Sequence, residues 1–427
     1  MKKEKLAKIR TAFGVTEYRL SNGLRLLYKS DREAPVVAVC VTYHVGSRNE
    51  AAGHTGSTHL LEHLLFKDTK NFNAAKGNAI TNYLEWFGAY MNATTWLDRT
   101  NYFELLPRER LSEALAVEAD RMRNSLFSET DLQSEMPVVR NEFERSRNNP
   151  FELLDEEVMS AAFAVHPYQI PTIGTKEDIE RATAEKLHEF YNRFYWPNNA
   201  TLSIFGDVPF AKVKQLVLKH FGKISTSPEP IPTMNTVEPP QEGPHRVTLT
   251  KSLGVAIVML AYKIPEGINE EYPALLLLGA ILGGGFASRL SRALVDRGLA
   301  ADVNVSIPAL HDPGVLTLTA HVAHGIKPKG VIAAMQREVA TFTKKAPASD
   351  EMARARERLL SQFAAERDGV FSEIRMVSES IAAGDWQLGY TVEQAILKLK
   401  PADVFRVAKK YLRSLNETSG ILEEKND

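Results

Sequence analysis

Apolar positions along this chain change their period in a regular order, and that order predicts the elements. Tyr18 to Tyr28 alternates apolar and polar residues around Asn22-Gly23, a β-hairpin signature. Val36 to Tyr43 is an unbroken apolar run of strand length and reads as a buried strand, after which His44 to Glu50 turns the chain. Ser57 to Phe66 holds no Gly or Pro and carries leucines at 60, 61, 64 and 65, which predicts a buried helix with Ser57 or Thr58 as its N-cap. Leu84 to Met91 leads into Asn92 to Trp96 and Arg99 to Leu106, which read as strands on their β-branched and aromatic content. Helices are predicted over Leu111 to Met122, over the stretch carrying Glu135 and Glu142, over Leu153 to Phe163 and over Ala184 to Phe194. Thr201 to Gly206 reads as a closing strand and Phe210 to Phe221 as a final helix.

The same pattern then returns. Ser225 to His245 carries prolines at 228, 230, 232, 239, 240 and 244, a density that suits a semi-rigid linker and excludes helix or central strand. Beyond it, Val255 to Tyr262 matches Val37 to His44, and Tyr272 to Leu282 stands where Thr58 to Phe66 stood. The halves also end alike, Thr183 to Tyr191 with Pro197 to Leu202 against Lys400 to Tyr411 with Leu415 to Gly420. An internal duplication accounts for this. The expected fold is α+β, two homologous α/β-sandwich domains at residues 1–224 and 246–427 joined by the linker at 225–245.

Composition narrows the class. A chain of 427 residues is too long for one core, and 44% hydrophobic with 25% charged residues is globular. A net charge of −1 gives no bulk attraction to nucleic acid or anionic lipid. The single cysteine, Cys40, excludes an internal disulfide and suits a reducing compartment. The basic start, Met1 to Arg10, is followed by no apolar segment of signal-peptide length. The longest apolar stretch, Tyr272 to Leu282, is too short to span a bilayer and runs into Gly283-Gly284-Gly285. The triplet is a weak phosphate-loop candidate because no Lys-Ser/Thr follows it. These features fit a cytoplasmic protein with no membrane or nucleic-acid partner.

The candidate chemistry lies in His59-Leu60-Leu61-Glu62-His63. His59 and His63 are four apart and share a helical face at about 6 Å spacing, with Glu62 nearly on that face. Two imidazoles and a carboxylate on an apolar helix are costly to bury without a partner, and a divalent metal is one. The order is H-x-x-E-H, so the histidines would be ligands and Glu62 the base toward water. The alternative is a core histidine pair with Glu62 in an ordinary ion pair. Glu135 and Glu142, seven apart on one helical face, are a source for a third ligand or simply a solvated face, and Pro137 between them kinks that helix or sits in its first turn. The other histidines read as structural or exposed, with His54 nearest the motif. The second half has Leu275 to Leu278 in place of His and Glu, so metal chemistry belongs to the first half.

Taken together, His59 to Thr69, Gly88 to Thr94, Asp98 to Tyr102, Glu135 to Glu142, His166 to Tyr168 and Ile173-Gly174 resemble the pitrilysin/insulinase family of inverzincin zinc metallopeptidases, over nearly the whole chain. Within it, the chain is similar to the short subunits of the processing-peptidase type. The resemblance implies a zinc metalloendopeptidase (a hydrolase) with His59, His63 and Glu142 as metal ligands, Glu62 as catalytic base and Glu135 as a residue orienting the ligands. It implies that Ala89, Tyr90, Met91, Asn92 and Ala93 form an edge strand to which a peptide adds. It further implies one Zn2+ per chain and a dimer clamped around a closed chamber. Ala89 and Asp68 replace two glycines of the family pattern, away from the metal. Family members that act alone carry in the second domain an Arg and a Tyr that hold substrate. Here Val295 and Ala301 occupy those positions, with Arg292 or Arg297 as a substitute for the first only. Losing one such donor costs about 10²–10³ in rate. The expectation is therefore a heterodimer in which a homologous subunit supplies the Arg/Tyr pair, rather than a homodimer; the same fold also serves as a non-catalytic scaffold.

Overall fold

The computed structural model describes residues 6–33 and 35–425; residues 1–5, which begin the basic start, lie outside the described residues. Its strands are β1 (Leu6–Ala12), β2 (Val15–Leu20), β3 (Arg25–Ser30), β4 (Val36–Tyr43), β5 (Tyr90–Thr95), β6 (Thr100–Pro107), β7 (Ala200–Gly206), β8 (His245–Lys251), β9 (Ile257–Ile264), β10 (Ala300–Ser306), β11 (Gly314–Val322) and β12 (Glu417–Glu424). Its helices in the first half are α1 (Ser57–Leu64), α2 (Ile80–Glu85), α3 (Leu111–Asn124), α4 (Glu129–Arg147), α5 (Pro150–Ala162), α6 (Lys176–Glu180), α7 (Ala184–Phe194) and α8 (Phe210–Phe221). Those in the second half are α9 (Tyr272–Gly283), α10 (Pro328–Phe342), α11 (Ser349–Glu366), α12 (Val370–Ala383), α13 (Leu388–Lys398) and α14 (Pro401–Tyr411).

The strands form two sheets, in the orders β1-β2-β3-β7-β4-β6-β5 and β10-β11-β9-β12-β8. The stretch β3-β7-β4-β6-β5 and the second sheet, read as β8-β12-β9-β11-β10, match strand for strand. The first pair is parallel in each (β3 with β7, β8 with β12) and the other three pairs are antiparallel. The duplicated unit is thus visible as topology. The central strands carry the longest apolar runs because both faces are covered: β7 is buried throughout and β4 in all but its first residue. Edge strands β5 and β10 alternate exposed and covered positions instead. The Asn22-Gly23 turn closes the β2–β3 hairpin, with Gly23 at φ 93° and its α-carbon against Asn198, where a Cβ would come within 2.6 Å.

Two compact units result, and they differ from the contiguous division read from the sequence. The first contains the chain up to Asn141, Pro171–Asn235 and Glu366–Gln387; the second contains Glu142–Ile170, Thr236–Ala365 and the chain from Leu388 on. Each half of the chain lends one helix to the other's sheet. Helix α5 packs on β8, β9 and β12, and α12 packs on β4 and β7. The loaned helices are fitted, not incidental. A Cβ at Gly420 of β12 would come within 2.4 Å of Val158 on α5. Helix α12 is tied to its sheet by Lys29–Glu373 at 2.6 Å and Arg99–Glu379 at 2.6 Å. Periodicity predicts a helix but does not say which sheet it covers, so this exchange was invisible in the sequence.

The remaining departures are local. Leu84 to Gly88 is not extended: Ile80 and Leu84 bury one face of α2, and Gly88 at φ 74° turns the chain into β5 at Tyr90. Pro137 stands inside α4, past its first turn. The proline-rich linker has no regular structure, but its Glu238 is anchored within the second unit. Its carboxylate accepts hydrogen bonds from the backbone N–H of Ala164, Val165 and His166 and from Lys263 Nζ. Burial works against the charge, yet Lys263 and those N–H groups outweigh it and hold the Glu238 pKa down to about 2. Cys40 is buried in β4.

Candidate metal centre

Helix α1 begins at a backbone junction that only glycine tolerates. Gly56 has φ 84°, and a Cβ there would lie 2.4 Å from the Ile173 carbonyl oxygen; Gly174, at φ 87°, meets the Gly56 nitrogen in return. This is the physical role of Ile173-Gly174. The expected cap is corrected. Neither Ser57 nor Thr58 caps α1 with its side chain, and the Glu50 carboxylate does so instead. It accepts from Gly56 N at 2.8 Å, Thr58 N at 2.6 Å and Thr58 Oγ1 at 2.6 Å. Burial drives the Glu50 carboxyl up to about 7 despite these bonds. Leu60, Leu61 and Leu64 bury the opposite face of α1, which leaves His59, Glu62 and His63 on the partly exposed side.

The His59 and His63 rings lie edge to face with centroids 4.8 Å apart. Helix α4 runs unbroken past Asn141, so Glu142 projects from the same continuous helix as Glu135, as their seven-residue spacing implied. Ligand atoms of His59, His63 and Glu142 all lie within 4.8 Å of one another, the one such cluster among the described residues. Donors on a tetrahedral zinc with bonds of about 2.0–2.1 Å stand about 3.4 Å apart, so a small inward movement closes the set. Two neutral imidazoles and a carboxylate also match the chemistry of a zinc site that keeps one position open. Burial, reinforced by His63, pushes the His59 imidazole down to about 4. Its neutral, ligating form is thus present at pH 7.

Glu135 does not join the ligand cluster. It accepts from His63 Nδ1 at 3.3 Å and from Lys67 Nζ at 2.5 Å, which engages one ring nitrogen of His63 and orients the other. Partial burial opposes its charge, but Lys67 and His63 prevail and hold its pKa below the ordinary value. Lys67 escaped the sequence reading although it stands four residues beyond His63. Arg121 also escaped it: buried in α3, it donates from Nε to the Leu65 carbonyl at 3.1 Å. Its guanidinium lies 4.5 Å from the Tyr102 ring centroid.

The substrate-strand residues lie at the sheet edge. Tyr90, Met91, Asn92 and Ala93 belong to β5, the outermost strand beside β6, and Ala89 immediately precedes it. Tyr90 and Asn92 are exposed, Met91 is half-buried, and Ala89 and Ala93 are buried. Val295 ends a short helical turn at 291–295, and Ala301 is exposed on β10. Arg292 and Arg297 are exposed. His54 stays outside the cluster and offers its backbone carbonyl to Ser57 Oγ. His166 is structural: it accepts from Tyr168 N at Nδ1 and meets Asp312 at 3.2 Å. No helix of the described residues is long and apolar enough to cross a membrane.

Comparison with known proteins places the chain among similar proteins. Residues 25–176 match the family model described as insulinase (peptidase family M16), and residues 181–359 match the one described as peptidase M16 inactive domain. The zinc protease PqqE of Helicobacter pylori is 30% identical over 94% of this chain and 91% of its own. An uncharacterized zinc protease of Rickettsia bellii is 27% identical over 96% and 97%. Among solved structures, a protease from Helicobacter pylori superimposes with a TM-score of 0.90 at 28% identity, covering 99% of this chain and 100% of that one.

Proposed function

Because the chain belongs to the insulinase family, peptidase family M16, we propose that it is a zinc-dependent endopeptidase subunit that hydrolyses peptide bonds in unstructured peptides. The observation that carries this reading is the convergence of His59, His63 and Glu142, with Glu62 on the same turn of helix as the histidine pair.

His59, His63 and Glu142 would hold a zinc ion, which would supply Lewis acidity toward water and the scissile carbonyl. Glu62 takes the proton of the attacking water and returns it to the amide nitrogen as the C–N bond breaks. Glu135, itself steadied by Lys67, keeps the His63 ring in its ligating orientation. The substrate lies as an added strand along β5, its main chain pairing with the open edge at Tyr90 to Ala93. An extended chain can pair there and a folded one cannot, which selects unstructured peptides.

The proposal includes a partner. Val295 and Ala301 stand where relatives able to act alone have Arg and Tyr, so a homologous subunit contributes that pair and the two chains close a chamber around the substrate. The single cysteine, Cys40, favours a cytoplasmic setting. The test is hydrolysis of an unstructured peptide by the pure chain, with and without a co-purifying homologue and with Glu62→Gln as control. Activity that needs both the homologue and Glu62 supports the proposal. Full activity of the lone chain refutes the heterodimer, and activity untouched by Glu62→Gln refutes the mechanism. Absence of activity in both arms leaves a scaffold of the same fold.

A further inference from the structure

We propose that Glu50 and Arg121 are positioning residues for the metal-binding helix, a half-buried carboxyl group and a buried guanidinium that fix the two ends of α1 and thereby the reach of His59, Glu62 and His63. This rests on the zinc-peptidase reading and adds to it residues outside the H-x-x-E-H motif. Helix α1 is only eight residues long. A helix of that length is marginal by itself and takes its placement from its surroundings.

The N-terminal end of α1 meets a carboxylate. Both Glu50 oxygens are engaged, one by Gly56 N and the other by Thr58 N and Thr58 Oγ1, so the first turn is held at the residue before His59. The C-terminal end meets a guanidinium. Arg121 is 1% exposed, its Nε donates to Leu65 O at 3.1 Å, and the charge lies over the Phe66 and Tyr102 rings. Glu118, ion-paired to Arg121, and Glu104, at 3.8 Å, hold the guanidinium in place. Tyr102, sandwiched in this group, directs its hydroxyl to the Glu62 carbonyl at 3.5 Å. The Arg121 guanidinium has the sign that the helix dipole favours at a C-terminus, and Glu50 accepts from the N–H groups that a helix N-terminus leaves open. Neither can follow α1 passively. A half-buried carboxyl group or a buried guanidinium that loses its hydrogen-bond partners is costly, so any slide or rotation of the helix is opposed from both ends. The distance from His59 and His63 to Glu142 then depends on residues that touch neither metal nor substrate.

The experiment measures zinc affinity of the full chain by chelator competition, for wild type, Glu50→Gln, Arg121→Lys and Thr58→Val. Peptide hydrolysis is followed under conditions where wild type is active, and each variant's fold is checked by circular dichroism. Thr58→Val removes one bond to Glu50 with little change in shape and carries the test should either charge variant fail to fold. Substitution beyond the ligands costs about 10–100-fold in metal affinity or activity where such residues orient a site. The expected result is a folded protein with zinc affinity weakened in that range and kcat reduced. Zinc affinity and kcat within twofold of wild type in the folded variants overturn the inference. A wild-type chain that binds no zinc refutes the metal reading itself and is distinguishable from that outcome.

Discussion

Helices α1 and α9 follow equivalent strands, β4 and β9, in two sheets of the same order, yet only one carries candidate metal ligands. Helix α9 holds no His or Glu, and its Leu275, Leu277 and Leu278 are wholly buried in the second core. In α1 the apolar face is narrower, and the polar side is braced by Glu50, Lys67 through Glu135, and Arg121. The comparison separates two kinds of information. Strand and helix periodicity reproduces the sandwich twice, whereas a few residues and their supports decide whether it binds metal.

The sharpest way to break the comparison is Glu62→Gln, which leaves packing intact and removes the base. It is expected to lower kcat by about 10²–10⁴ with zinc content unchanged, read by metal analysis beside peptide hydrolysis. On the plain side, Leu278→Ala opens a cavity in the second core and is expected to destabilise that unit by about 2–5 kcal/mol in denaturant unfolding, with zinc affinity unaltered. Glu135→Gln keeps an acceptor for His63 but drops the charge paired with Lys67, so zinc affinity is expected to fall by about 10–100-fold. Ala93→Pro deletes an N–H on edge strand β5, where proline is tolerated, and is expected to raise KM while kcat holds.

The smallest expected effect concerns Glu238. Its folded pKa, about 2, lies below the ordinary 4.5. Its ionised form therefore adds stability above pH 4.5, and that contribution is lost as the pH falls through about 2. Glu238→Gln is expected to lower stability at neutral pH and to flatten the acid limb of a melting-temperature profile. An unchanged limb would show that Lys263 and the backbone donors at 164–166 are not holding the charge.

Much of this was legible in the sequence because local rules decided it. The β2–β3 hairpin, β4, α7 and α8 stand at or within a residue or two of where the pattern puts them. The convergence of His59, His63 and Glu142 followed from helical spacing together with a family resemblance. What escaped depends on long-range closure. The exchange of α5 and α12 between sheets leaves no periodic trace. The Glu50 cap escaped because Ser57 and Thr58 are better local caps, and a half-buried carboxyl group from the preceding loop displaced them. Arg121 looked like one more charged residue on α3, and only burial reveals what it does.

The central claim is that two imidazoles from α1 and one carboxylate from α4 share a zinc ion. Zinc titration of the metal-free chain, compared with Glu142→Ala, tests it most directly. One zinc per wild-type chain, with affinity lost in Glu142→Ala, is the expected result. Equal zinc affinity in the two proteins, or no zinc bound by wild type, contradicts it.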